Sequence, residues 1–151
     1  MKIIITENQY ELLKEMEDKP KVYHFPSLDI FGHKEDIDNW NLMQKFLVKK
    51  GNPDYTVDGT LGLIGVPIKS LGNLTSVGGD LFLSYSKIKS LGNITSVGGN
   101  LYLTHSKIES LGNLTSVGGY LDLRYTPISE KYTEEEIRSQ VDIKGELYLW
   151  K

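Results

Sequence analysis

The chain of 151 residues contains no cysteine. That single absence excludes disulfides, thiolate nucleophiles and cysteine-ligated zinc together. Neither sign of charge dominates. Seventeen basic and twenty acidic residues leave a formal charge of −3, too weak a field to steer the protein toward nucleic acid or anionic lipid. Long apolar runs are missing as well. The opening MKIIITENQY turns polar after three isoleucines, too early for a secretion signal or a membrane span. These absences lead to the expectation of a soluble cytoplasmic protein with neither nucleic acid nor membrane as partner.

Histidine is sparse too, with three residues. His24, Asp29 and His33 lie close in sequence, but their spacing matches no helical i, i+4 ligand pair and no fourth ligand stands near. His105 has no carboxylate or nucleophile in register with it. No catalytic residue, metal site or cofactor is expected, and the chain reads as a non-enzyme. The three Asn-x-Thr triplets at Asn73, Asn93 and Asn113 are copies of one turn motif rather than modification sites.

What the chain has in quantity is glycine, fifteen residues of it, set in a repeat. SLGNLTSVGG at 70–79 returns as SLGNITSVGG at 90–99 and as SLGNLTSVGG at 110–119. The full units 70–89 and 90–109 agree at 14 of 20 positions, and 90–109 and 110–129 at 12. A degenerate copy, VDGTLGLIGVPIK, precedes them at 57–69, and VDIKGELYLW follows at 141–150 after a six-residue insertion. A fixed period in the twenties marks an architecture in which each unit buries its apolar edge against its neighbours.

Within each unit a short alternating run predicts a strand: Leu81–Phe82–Leu83, Leu101–Tyr102–Leu103 and Leu121–Asp122–Leu123. The constant leucines face inward and the variable residues between them face out. The constant ten residues read as the corner and return path. In them Gly72, Gly92 and Gly112 suit a turn of positive φ, the double glycines suit a tight entry into the strand, and the asparagine column suits hydrogen bonding along the stack. Ser86, Ser106 and Thr126 make a further polar column.

The pattern L-x-L-x-x-(S/T)-x-I-x-x-L, carried by Leu81, Leu83, Ser86, Ile88 and Leu91 and their copies, resembles a short leucine-rich repeat of bacterial or phage type. It departs from that family where Ser or Thr replaces the usual Asn and Gly78 replaces a leucine. The resemblance implies an α+β repeat fold: a leucine-rich-repeat-like solenoid with a parallel β-sheet of about five strands and an N-terminal helical cap. A generic parallel β-solenoid is the alternative. Residues 1–52 are expected to form the helical cap and an irregular segment, and residues 53–151 the solenoid with its capping strand. The opening MKIIITENQYELLKE resembles the start of many small phage and host proteins, which would place the chain in a host cytoplasm.

At the ends, 34–51 predicts a cap helix with Ile37, Trp40, Met43, Phe46 and Leu47 on one face. Residues 6–18 predict a second amphipathic helix, with Thr6 and Gln9 as a capping box and Leu12, Leu13 and Met16 as its apolar side. Residues 19–32, with two prolines, read as linker or irregular packing. Thr133 and Glu136 form another capping box, inside the insertion.

Residues twenty apart become lateral neighbours, so the variable positions form rows. Phe82, Tyr102, Asp122 and Tyr148 make one. Tyr85, His105 and Tyr125 make a second, and Asp80, Asn100 and Tyr120 a third, with Arg124 at the edge. Aromatic side chains with polar tips are favoured at binding hot spots. The expectation is a binding module that recognises a protein partner through these residues. The same rows also suit a carbohydrate or surface-polymer binder, a homo-oligomeric structural subunit, or ladders that only stabilise strand pairing.

Overall fold

The twenty-residue period becomes the register of two parallel sheets. In the computed structural model, which describes residues 6–18, 21–28 and 34–150, Leu81 pairs with Leu101 and Leu101 with Leu121. The fold is α+β, with sheets of six and five strands and, among the described residues, four α-helices. Repeated parallel strands of this kind fit a repeat-protein fold. No helix among the described residues is long and apolar enough to cross a membrane.

The five-stranded sheet is the expected one. Its members are β3 (Leu61–Gly62), β5 (Leu81–Phe82), β7 (Leu101–Tyr102), β9 (Leu121–Asp122) and β11 (Leu147–Tyr148), neighbours in that order. Leu61, Leu81, Leu83, Leu101, Leu103, Leu121 and Leu123 are fully buried. Burial of such a side chain is worth roughly 2 kcal/mol, and the stack repeats that gain in every unit. The insertion before β11 appears as a register step: Leu147 lies opposite Leu121.

The six-stranded sheet is a correction to the reading of the constant decapeptide as corner and return path alone. It contains β1 (Tyr23–Phe25), β2 (Tyr55–Val57), β4 (Leu74–Val77), β6 (Ser96–Val97), β8 (Ser116–Val117) and β10 (Asp142–Ile143), all parallel. Val57, Val77, Val97 and Val117 point inward. In β4 and just ahead of β6 and β8, Thr75, Thr95 and Thr115 each donate a side-chain hydrogen bond to a carbonyl one unit back, at 3.3, 3.2 and 2.9 Å. Strand β1 lies in the stretch expected to be linker or irregular packing. It pairs with β2, and Leu28 bridges Leu61, so residues 23–28 supply an incomplete first layer.

Two glycine positions turn the chain in different ways. Gly72, Gly92 and Gly112 have φ of 61°, 60° and 58°, and each amide donates to the Oγ of Ser70, Ser90 or Ser110 at 3.0 Å. Gly78, Gly98 and Gly118 have no positive φ. There a Cβ would strike the carbonyl oxygen of Asp58, Gly78 or Gly98 in the preceding unit. The double glycine is needed for close stacking of backbone on backbone rather than for the tight turn expected of it. The asparagine column is thinner than expected and largely exposed. Asn93 Nδ2 reaches Asn73 Oδ1 at 3.4 Å, and Asn73 Nδ2 reaches the Asn52 carbonyl at 2.7 Å.

Helix α2 (Ile37–Lys49), entered through a 3₁₀ turn at Lys34–Asp36, covers the first unit. Trp40 and Leu47 are buried, and Ile37 and Met43 pack partly against the core. Phe46 departs from the expected buried face; it is exposed, edge-on to Tyr23 at 6.2 Å. The helix ends in a Schellman motif: Gly51 N–H donates to Val48 O, Asn52 N–H to Leu47 O, and Gly51 has φ of 92°. Gln44 Nε2 donates to the Tyr55 hydroxyl, which donates to Leu71 O at 2.6 Å.

Helix α1 (Glu7–Asp18) carries the expected Thr6–Gln9 box, but Leu12 and Leu13 are exposed, so its apolar side is not packed as a core face. The side chain of Met16 lies outside the described residues. The C-terminal insertion holds α4 (Glu134–Gln140), with the Thr133–Glu136 box in place. It is preceded by a helix the sequence did not announce, α3 (Pro127–Lys131), capped by Thr126 and Ser129.

Candidate functional site

The variable residues assemble into three columns that run across the units. The first lies on the outward side of the five-stranded sheet. Phe82 and Tyr102 are strand partners, and their rings stack in parallel at 4.8 Å. They are half-buried rather than standing free in solvent. Asp122 occupies the next position of the same row, and its expected outward, solvent-facing placement is corrected. Only 2% of it is exposed. The physical reason is Arg124, two residues on, whose backbone N–H and Nε donate to Asp122 Oδ1 and whose Nη2 donates to Oδ2 at 2.6 Å. A forked guanidinium satisfies a buried carboxylate well. The hydrogen bond to Asp122 raises the Arg124 pKa above its usual value. The guanidinium also lies 5.4 Å from the Tyr148 ring centroid and 5.3 Å from that of Trp150. Trp150 itself is well exposed.

The second column sits at a corner just beyond the strands. Tyr85, His105 and Tyr125 have φ of 63°, 59° and 57°, in the left-handed region, and Gly65 holds the same position in the first unit with φ of 72°. Their amides occupy equivalent rungs, donating to Ser84 O from Gly65, Thr104 O from Tyr85, Arg124 O from His105 and Trp150 O from Tyr125. The corner therefore calls for a residue that tolerates positive φ, and glycine is the cheap solution. Three bulky side chains stand there instead. Tyr85 stacks on His105 with ring centroids 4.9 Å apart, and His105 meets Tyr125 at a tilt of 33° with centroids 4.6 Å apart. All three are exposed, Tyr85 by 58%.

The third column is bound up in backbone. Asp80 Oδ1 accepts from Asn100 N–H, and Asn100 Oδ1 accepts from Tyr120 N–H, both at 2.7 Å. Asn100 Nδ2 donates to the Tyr102 hydroxyl at 3.1 Å. Tyr120 is exposed and meets Tyr148 edge-on at 6.1 Å.

The structure thus brings Phe82, Tyr102, Tyr120 and Tyr148 to one outward surface and Tyr85, His105 and Tyr125 to the corner beside it. It commits Asp80, Asn100, Asp122 and Arg124 to internal pairing. Behind the corner, the hydroxyls of Ser86 and Ser106 are buried without a hydrogen-bond partner, whereas the equivalent Thr126 Oγ1 donates to Leu123 O at 2.6 Å.

Sequence reasoning counted the lysines on the far side of this corner only within a balanced total of five basic and five acidic residues over 51–129, and expected no basic stripe. Lys69, Lys87, Lys89 and Lys107 line one groove. The twenty-residue spacing of Lys87 from Lys107, and of Lys69 from Lys89, was the available signal.

Among the described residues no three His, Asp or Glu side chains cluster as metal ligands. His24 Nδ1 is hydrogen-bonded to Thr56 Oγ1 at 2.7 Å, while Asp29 and His33 lie outside the described residues. No protein-family model, characterised protein or solved structure matches this chain.

Proposed function

We propose that the chain is a non-enzymatic recognition module, a short solenoid that binds a protein partner through the aromatic corner and the sheet surface beside it. The observation that carries this reading is the column Tyr85–His105–Tyr125. A bulky residue in the left-handed region costs roughly 1–2 kcal/mol, and Gly65 meets the same corner without that cost. Ring contact, at roughly 0.5–1.5 kcal/mol a pair, offsets only part of that strain, since two pairs are set against three strained residues. A fold selected only for stability gains little from these side chains. Residues held in sparsely populated conformations and displayed to solvent point to use as contacts.

The solenoid reading rests on the repeated register and on the common core, with α2 covering one end. The leucine-rich-repeat resemblance is carried by the inward leucines. The second sheet on the return path leans toward the parallel β-solenoid form, because a leucine-rich unit has one strand followed by a helical or 3₁₀ return.

A sugar-stacking function draws less support. Rings packed 4.6–4.9 Å apart spend their faces on one another and offer mainly edges and polar tips. Such edges suit hydrogen bonding to a protein surface. The test is parallel affinity capture with the wild type and with a Tyr85→Gly/Tyr125→Gly double variant. Both are expected to fold, and a stoichiometric protein is expected on the wild type alone. Equal recovery on the two baits contradicts the reading.

A further inference from the structure

The stretch that follows the aromatic corner alternates as cleanly as a strand. Tyr85, Lys87 and Lys89 are exposed, while Ser86 and Ile88 between them are buried. The next unit repeats the pattern with His105, Lys107 and Glu109 outside and Ser106 and Ile108 inside. Stacked at the twenty-residue period, the outward positions form three adjacent columns: Gly65–Tyr85–His105–Tyr125, then Pro67–Lys87–Lys107–Pro127, then Lys69–Lys89–Glu109. Four of the five basic residues of 51–129 therefore gather on one side, in an open groove of about 710 Å³ that Glu109 and Pro127 also line. Asp54, Asp58 and Asp80 line none of it.

Two features make this groove more than a solvated surface. The lysines are placed beside their own kind, Lys87 by Lys107 and Lys69 by Lys89, and like charges on adjacent rungs destabilise the pairing that carries them. Among the described residues none of the four makes an ion pair; the salt bridges there join Arg124 to Asp122, Arg138 to Glu134 and Lys144 to Asp142. The positive charge is concentrated beside the aromatic corner, four lysines against the single acidic side chain of Glu109 in the groove lining.

We propose that this groove is the seat of an acidic segment of the protein partner, laid along the lysine columns with the Tyr85–His105–Tyr125 edges as its rail. The inference rests on the recognition reading above and names the partner's chemistry. Carboxylates along an extended or helical segment meet the ammonium groups, and the mixed Tyr/His edge supplies hydrogen-bonding groups beside them. Complementary charge of this kind sets on-rate and specificity more than raw affinity. A nucleic-acid strand fits less well. Base stacking needs free aromatic faces, most of which the column spends on itself, and Glu109 opposes phosphate within the groove.

The experiment uses the full chain and two probes of similar charge, a fluorescein-labelled deca-glutamate peptide and a labelled ten-nucleotide uridine RNA. Fluorescence anisotropy is read at low and at physiological salt. Lys87→Glu/Lys107→Glu is the test variant, with Lys87→Gln/Lys107→Gln as a milder form. Lys45→Glu/Lys49→Glu, on exposed positions of α2, changes the net charge equally and serves as control. The peptide is expected to bind the wild type with a marked salt dependence. Reversal at Lys87 and Lys107 is expected to weaken it at least tenfold, the glutamine variant several-fold, and the control less than twofold.

Equal weakening by the control, or no peptide binding at either salt, overturns the proposal. Tighter binding of the RNA with the same sensitivity to Lys87 and Lys107 also overturns it, in favour of a nucleic-acid groove. So does a dimer in light scattering that the same reversal abolishes, since the acidic run Glu134–Glu136 of a second copy would then be the occupant. In affinity capture the lysine variants separate this inference from the one it rests on. A partner lost with Tyr85→Gly/Tyr125→Gly but kept with Lys87→Glu/Lys107→Glu removes the acidic-segment inference and leaves recognition standing. A partner kept by both removes the two together.

Discussion

Two of the corners in each unit treat side chains in opposite ways. At Gly78, Gly98 and Gly118 no side chain fits, because the backbone of the preceding unit occupies the space. At the other corner the limit is conformational. Gly65, Tyr85, His105 and Tyr125 share a positive φ, and a Cβ at Gly65 would meet nothing within 4 Å. The first corner is identical in all three full units, and the second varies, with Tyr85, His105 and Tyr125. Steric exclusion between backbones leaves a sequence no choice. Strain leaves a choice at a modest cost, and here exposed aromatic rings stand where glycine would carry none of it.

Substitutions at the two corners sharpen the contrast. The largest effect is expected for Gly98→Ala. The added methyl collides with the Gly78 carbonyl, which can yield only by separating two units, so a loss of about 3 kcal/mol or more is expected in denaturant unfolding. A loss under about 1 kcal/mol would break the distinction between the corners. Gly92→Ala comes next. Its φ is 60° and its surroundings are open, so only the left-handed penalty applies and about 1 kcal/mol should be lost.

The exchange pair Tyr85→Gly and Gly65→Tyr is expected to change stability least, by under about 1 kcal/mol each. In the first, relief of strain offsets lost stacking and the entropy of a new glycine. In the second, a fourth ring gains a neighbour in Tyr85 while paying the strain. Thermal melts of both variants against the wild type provide the check.

A pH prediction concerns the end of the stack under α2. Burial raises the pKa of the Tyr55 phenol, with the Gln44 hydrogen bond lowering it in part. The folded chain therefore holds the proton more firmly than the unfolded chain, whose value lies near 10.0. That contribution is fully present below pH 10 and is lost as pH rises above it. Urea midpoints between pH 8 and 11 should fall in the wild type and fall less steeply in Tyr55→Phe. Parallel slopes would show that Tyr55 is not the group responsible.

The contrast also explains what could be read from the sequence. The leucine columns, the five-stranded register, the six-residue insertion and the Thr6 and Thr133 boxes were legible, because each is written in local periodicity or in a three-residue motif. The six-stranded sheet was not. Each middle unit gives it two residues, Ser96–Val97 or Ser116–Val117, too few to alternate, and its hydrogen bonds exist only once the units have stacked. Strand β1 was hidden for a related reason, since its partner Tyr55 lies beyond the whole of α2.

Among the site residues, the rows themselves followed from the period, but the fate of individual polar members did not. Asp122 looks like an outward residue until Arg124 folds over it, and Asp80 and Asn100 look free until the next unit's amides reach them. The lysine groove was concealed by a balanced total. Residues 51–129 hold five basic and five acidic side chains, and only the stacking register puts four lysines together.

The most direct measurement is denaturant unfolding of the triple variant Tyr85→Gly/His105→Gly/Tyr125→Gly. If the column is kept for contact rather than for folding, the unfolding free energy should stay within about 2 kcal/mol of the wild type, with an unchanged slope. A cooperative loss of about 4 kcal/mol or more would mean that the rings hold the stack together, and the aromatic corner would then need no partner to account for it.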